Sequence, residues 1–91
     1  MNTPTSFVLN QNYPNPFNPS TVIRYQLPVT GEVSLKVYDI LGNEVATLVN
    51  EEKTAGTYEV EFSVGQSASG IYFYRLNAGT YSETKKMVLL K

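Results

Sequence analysis

Acid–base chemistry in this chain would fall first to eight carboxylates: Glu32, Asp39, Glu44, Glu51, Glu52, Glu59, Glu61 and Glu83. Histidine and cysteine are absent, which removes the commonest general base, the commonest metal ligand and the thiol nucleophile together. Glu59 and Glu61 lie two apart in an alternating stretch, so a strand would hold them on one face about 6.5–7 Å apart, a spacing that suits a paired-carboxylate hydrolase. Most of the eight fall on outward strand positions or in a polar loop, where charged residues are ordinarily just solvated. The Glu51-Glu52 stretch lacks the alternating Asp/Asn and the glycine of a calcium loop. No glycine-rich phosphate loop precedes a helix, and Asn18-Pro19-Ser20 is no glycosylation acceptor because proline holds its middle position. The residues therefore predict a protein that is not an enzyme and carries no cofactor and no metal.

The elements that would position any site are set by length and pattern. Ninety-one residues suffice for one small core. The apolar fraction of 42% and charged fraction of 16% belong to a folded chain, not a disordered one. A net charge of −1 with scattered basic residues argues against nucleic-acid or anionic-membrane partners. No window approaches the roughly 18 apolar residues of a membrane span. Residues 1–5 read as an added start or a linker remnant, which implies a piece of a longer precursor, and residues 6–91 as a single domain, expected to be a monomer.

Seven segments show period-2 alternation or β-branched and aromatic richness, and none reads as a helix. They are Phe7–Leu9, Thr21–Leu27, Glu32–Ile40, Glu44–Val49, Thr57–Val64, Ile71–Leu76 and Tyr81–Lys91. The core faces are predicted at Thr21, Ile23, Tyr25 and Leu27; at Val33, Leu35 and Val37; and at Tyr58, Val60, Phe62 and Val64. Asp39-Ile40-Leu41-Gly42-Asn43 reads as a tight turn, with Asp39 bonding backbone two residues on and Gly42 free to take positive φ. Asn50 to Thr54 is the expected exposed loop, and residues 65–70 a small-residue loop before a central strand. Short strands at about ten-residue spacing point to an all-β, seven-stranded antiparallel immunoglobulin-like β-sandwich, with a small closed barrel as the alternative.

The segment QNYPNPFNPST, Gln11–Thr21, holds more punctuation than a turn requires. Pro14, Pro16 and Pro19 fix φ, delete donors and push Tyr13, Asn15 and Asn18 toward extended geometry, which predicts a stiff segment without hydrogen-bonded structure. Asn12, Asn15 and Asn18 would satisfy nearby backbone. Tyr13 and Phe17 would fold under one end of the sandwich as a lid. The plain role is a crossover that seals the core; the alternative is recognition.

The combination FVLNQNYPNPFNPSTVIRYQLP, VSLKVYDILGNEVATLV, AGTYEVEF, ASGIYFYRLNAG and KKMVLLK resembles, in order and over essentially the whole chain, the C-terminal sorting domain of the bacterial type IX secretion system. The resemblance implies an export address. Large enzymes and adhesins of that kind cross the inner membrane behind a signal peptide, outer-membrane machinery reads the folded domain, and a surface sortase-like peptidase commonly removes it. Cargo would then pass through the periplasm to the cell surface or medium, often attached to an anionic lipopolysaccharide. The family's first motif falls on Tyr13, Pro14, Asn15 and Pro16, and its second on Tyr38, Asp39, Gly42 and Val45. The third falls on Gly56 and Tyr58, the fourth on Gly70, Tyr72 and the closing Lys86, Met87, Val88, Leu89, Leu90 and Lys91.

Fold maintenance explains several of these positions, because turns want glycine and Tyr72 or Tyr74 can pin a sandwich corner through its hydroxyl. The proline motif and the last strand are explained least by fold. The last strand is expected to offer an unpaired edge and apolar residues on both faces, so those two segments form the predicted recognition surface. Two rival readings start from other features. The chain also resembles the immunoglobulin-like scaffold domain of flagellar hook-capping proteins through YPNPFNP and SGIYFYRL, although it lacks that relative's longer tryptophan-bearing insertion. An adhesive or carbohydrate-binding sandwich would need an aromatic platform, for which only Tyr38 and Tyr81 offer themselves.

Overall fold

The structure, a computed structural model, describes residues 4–63 and 68–90. Val64 and Lys91, assigned above to strands, and residues 65–67 of the small-residue loop lie outside the described residues. Seven strands run in chain order: β1 (Val8–Leu9), β2 (Ser20–Leu27), β3 (Gly31–Tyr38), β4 (Glu44–Lys53), β5 (Gly56–Ser63), β6 (Gly70–Ala78) and β7 (Tyr81–Leu89). They form a three-stranded sheet ordered β1-β2-β5 and a four-stranded sheet ordered β4-β3-β6-β7, with every strand pair antiparallel. This is the expected immunoglobulin-like sandwich, with its fourth strand beside the third instead of the fifth.

The two sheets close on a core drawn from one face of each alternating strand. Thr21, Ile23, Tyr25 and Leu27 of β2 and Val33, Leu35 and Val37 of β3 are all buried, as the period-2 pattern requires. They meet Tyr72, Tyr74, Leu76 and Ala78 of β6 and Met87 and Leu89 of β7. β6 lies between β3 and β7, so its central position matches its apolar composition.

The expected loop at Asn50–Thr54 is corrected by the hairpin. β4 continues to Lys53, with Asn50 opposite Ser34, Glu51 opposite Val33, Glu52 opposite Glu32 and Lys53 opposite Gly31. Its polar run marks an exposed edge strand, because the backbone of β3 demands a partner along its whole length whatever the side chains are. Two register shifts, between Leu35 and Lys36 and between Val37 and Tyr38, interrupt this pairing.

The proline segment also departs from expectation. It is hydrogen-bonded, and to both sheets. Tyr13 exchanges backbone bonds with Val22 at 3.0 and 2.9 Å, continuing the outer edge of β2. Phe17 then donates to the Val88 carbonyl at 2.9 Å and accepts from the Leu90 amide at 3.0 Å, pairing parallel with the end of β7. The edge of β7 at residues 88–90 is therefore occupied, which corrects the expectation that the last strand is unpaired. Proline tolerates this role because it sits only between the bonded residues, where no amide is needed.

Candidate recognition site

Polar side chains fix the path between the two sheet edges. Asn12 is buried, and its Nδ2 donates to Thr21 Oγ1 at 3.0 Å and to the Pro14 carbonyl at 3.2 Å. Thr21 Oγ1 in turn donates to the same carbonyl at 2.8 Å. Asn15 Oδ1 accepts the Val88 amide at 2.9 Å, a bond spanning 73 positions, not the local one predicted for it. Gln11 Nε2 donates to the Lys86 carbonyl at 2.7 Å. The two predicted aromatic plugs divide: Phe17 is 2% exposed and meets Phe62 edge-to-face at 6.1 Å, whereas Tyr13 is 79% exposed. One aromatic seals the core, and the other stands in solvent.

Strand registers bring most of the predicted site residues to one pole. β2 begins at Ser20 opposite Ser63, β3 ends at Tyr38 opposite Phe73 and Glu44, and β6 begins at Gly70 opposite Leu89. Phe17, three residues before β2, is bridged to Leu89. The proline motif, the Tyr38–Gly42 stretch, Gly70 with Tyr72, and Lys86–Leu90 thus share one end of the sandwich. Gly56 lies at the opposite end, opposite Leu27. Nearby, Tyr58 donates its hydroxyl to the Thr54 carbonyl at 2.6 Å.

The β3–β4 turn is built as its composition predicts. Asp39 Oδ1 accepts the Leu41 and Asn43 amides at 3.0 and 2.9 Å, and Gly42 takes φ +89°. The Asn43 amide, with those of Leu41 and Gly42 also contributing, holds the Asp39 carboxyl below its usual range. This turn raises Ile40 and Leu41 into solvent, Leu41 to 83% exposure. Sequence reasoning missed both, although two large aliphatic residues at a turn tip, where polar residues normally sit, were the available signal.

Of the closing residues, Met87 and Leu89 are buried in the core, Val88 is half-buried beside Ile71, and Leu90 is 56% exposed. A recognition surface made of the whole MVLL run is thereby corrected. Alternation sends Met87 and Leu89 inward and leaves Leu90, past the end of β7, as the exposed apolar group. Tyr72 donates its hydroxyl to the Ala68 carbonyl four residues upstream at 2.7 Å, the corner bond expected of one of the two tyrosines.

Glu59 pairs with Arg24 across β2 and β5, through a contact from Nε at 2.8 Å. Among the described residues no group of three His, Cys, Asp or Glu side chains converges as for a metal. The two tyrosines of the rival platform are engaged as well. Tyr81 stacks on Phe7 at 4.8 Å, and the guanidinium of Arg75 lies 5.5 Å from the Tyr38 ring.

Residues 11–90 match the family model described as secretion system C-terminal sorting domain. No curated protein matches the sequence. Among solved structures, the fold is similar to the crystal structure of dimeric latent PorU from Porphyromonas gingivalis, with a TM-score of 0.64 and 20% identity over 92% of this chain. The chain spans 9% of the length of that structure.

Proposed function

The chain belongs to the C-terminal sorting domains of the type IX secretion system, and on that premise we propose that it is the export address of a larger cargo protein. The folded domain is read by outer-membrane machinery after the cargo has reached the periplasm. The cargo then passes to the cell surface or medium, where a sortase-like peptidase removes the domain. The domain contributes no catalysis of its own.

One observation carries this reading beyond family membership. Residues from four separated stretches of sequence converge at a single pole, where Leu41, Leu90 and, two residues along β2, Tyr13 are exposed. A fold needs none of these three outside its core, and exposed apolar groups gathered at one end are what a receptor contact requires. The proline segment and the end of β7 work there as one unit, since each is the hydrogen-bond partner of the other.

The test uses a periplasm-targeted fluorescent protein carrying this chain at its C-terminus in a host with type IX machinery. The reporter should reach the surface or medium. Removing Met87 and its successors would strip the core, so the discriminating variants are Tyr13→Ser with Leu41→Ser and Leu90→Ser, and Pro14→Ala with Pro16→Ala. Each should melt cooperatively yet be retained in the periplasm. Normal export of the folded triple variant would remove the pole from the recognition surface, and retention of the unaltered fusion would overturn the export reading itself.

A further inference from the structure

The side of the sandwich away from the proline segment carries two outermost strands, β4 and β5. On β5 the direction of the free backbone groups follows from β2. Val22 exchanges both of its backbone bonds with Tyr13, and the Arg24 carbonyl accepts the Asn10 amide at 3.0 Å. Alternate residues of an antiparallel strand bond opposite neighbours, so Thr21, Ile23 and Tyr25 bond toward β5, at Phe62, Val60 and Tyr58. The amides and carbonyls of Thr57, Glu59 and Glu61 therefore point away from the sheet, and no strand among the described residues meets them.

Proteins usually guard such an edge with a bulge, a proline, a lysine or a covering loop. β4 has two register shifts, and β7 is covered by Phe17. Among the described residues β5 has none of these guards: its eight pairs with β2 run in unbroken register, it contains neither proline nor lysine, and its charged side chains are Glu59 and Glu61. Beside it a cleft of about 240 Å³ opens between β4 and β5, where half-buried Leu48, Val49, Tyr58 and Val60 share the walls with the Glu51–Lys53 ion pair. A strand laid along β5 would place alternate side chains over this cleft.

The outward side chains decide what that strand must be. Glu59 and Glu61 stand on the solvent face, and Arg24 pairs only with Glu59, so Glu61 has no counter-charge among the described residues. A second copy is a poor occupant, because antiparallel self-pairing centred on Glu59, Val60 or Glu61 sets glutamate against glutamate. We propose that the outer edge of β5 is a strand-addition site for an extended protein segment in which basic and aliphatic residues alternate. Its basic residues meet Glu59 and Glu61, its aliphatic ones cap the cleft, and its backbone bonds Thr57, Glu59 and Glu61.

The probe is a capped seven-residue peptide alternating lysine and valine, with its glutamate–valine counterpart as control, added to the full chain while amide hydrogen exchange is followed by NMR. At about ten times its dissociation constant the lysine peptide should slow exchange at Thr57, Glu59 and Glu61 by about tenfold, and the glutamate peptide should not. Glu61→Pro deletes an outward amide and no bond to β2; it should still melt cooperatively and should lose the protection. Glu61→Lys, which keeps the amide, should fold and bind the lysine peptide at least about fivefold more weakly, the loss expected when one charge pair becomes a repulsion. No protection, equal protection by both peptides, protection on β4 alone, or binding unchanged in both variants would each overturn the proposal. This edge lies on the flank opposite the proline segment, so its test and the export assay fail separately.

Discussion

The hydroxyl of Tyr74, on the middle of β6, accepts the Asn12 amide at 2.8 Å from across the sandwich. The same hydroxyl donates to the Asn10 carbonyl at 2.7 Å. Between Asn10, bonded to Arg24, and Tyr13, bonded to Val22, the first edge strand uses three steps while β2 uses two. That extra residue takes backbone groups out of the ladder, as in a β-bulge. Tyr74 supplies the missing donor and acceptor from the opposite sheet, so a buried side chain sets where the proline segment starts.

Tyr74→Phe should therefore destabilise by about 1–3 kcal/mol, since it keeps the ring volume and leaves the buried Asn12 amide and the part-buried Asn10 carbonyl unmet. Denaturant melts measure the loss. Amide exchange should also quicken at Phe17 and Leu90, the segment's anchors on β7; an unchanged rate there would mean that the Asn15 contact alone holds it.

Alkaline pH should reproduce part of that loss. Burial pushes the Tyr74 hydroxyl from 10.0 up to about 12, against the lowering effect of the Asn12 amide and with a further rise from Glu83. A tyrosine that ionises later when folded contributes stability that is complete below pH 10 and fades as pH approaches 12. Tyr81, also pushed up to about 12 by burial and the Glu83 contact, adds less because it is only half-buried. Melts between pH 9 and pH 11.5 should show stability falling, by up to about 2 kcal/mol for Tyr74, with a visibly shallower slope in Tyr74→Phe.

Phe62→Ala should cost about 3–4 kcal/mol, because Phe62 is 5% exposed and its ring is the edge-to-face neighbour of Phe17. A loss below about 1 kcal/mol in a denaturant melt would mean that the surrounding residues collapse into the space.

Gly42→Ala should cost about 1–2 kcal/mol, since a side chain at φ +89° is strained although nothing lies within 4 Å of the added carbon. Gly31→Ala, with equally open space and no such φ, is the matched control and should change the melting temperature little.

The strands were legible because side-chain alternation is a local signal: from Thr21 to Leu27 every second residue is apolar or small, and each of those is buried. The Asp39–Asn43 turn was legible for the same kind of reason, its carboxylate and glycine acting within five residues. Where prediction failed, a neighbour distant in sequence had decided the outcome. Asn50–Lys53 is polar enough for a loop and is a strand because β3 lies beside it. Asn15 bonds not its own backbone but that of Val88. Of the predicted site, Tyr13 stands in solvent and Met87 with Leu89 in the core, a division that depends on which sheet face each residue meets.

By itself, then, the sequence determined the period, the turns, the absence of histidine and cysteine chemistry, and the ordered motifs that mark the family, all of which are properties of short windows or of composition. Tertiary structure alone decided that the proline segment is a strand-like bridge closing the edge of β7, that three of the four motifs share one pole while the third lies at the other, and that the outward amides of β5 meet no strand among the described residues. These depend on which strands lie side by side. Backbone amides and carbonyls are the same in every residue, so hydrogen-bonding demand carries no sequence signature and is met by whichever neighbour the packed core brings within reach.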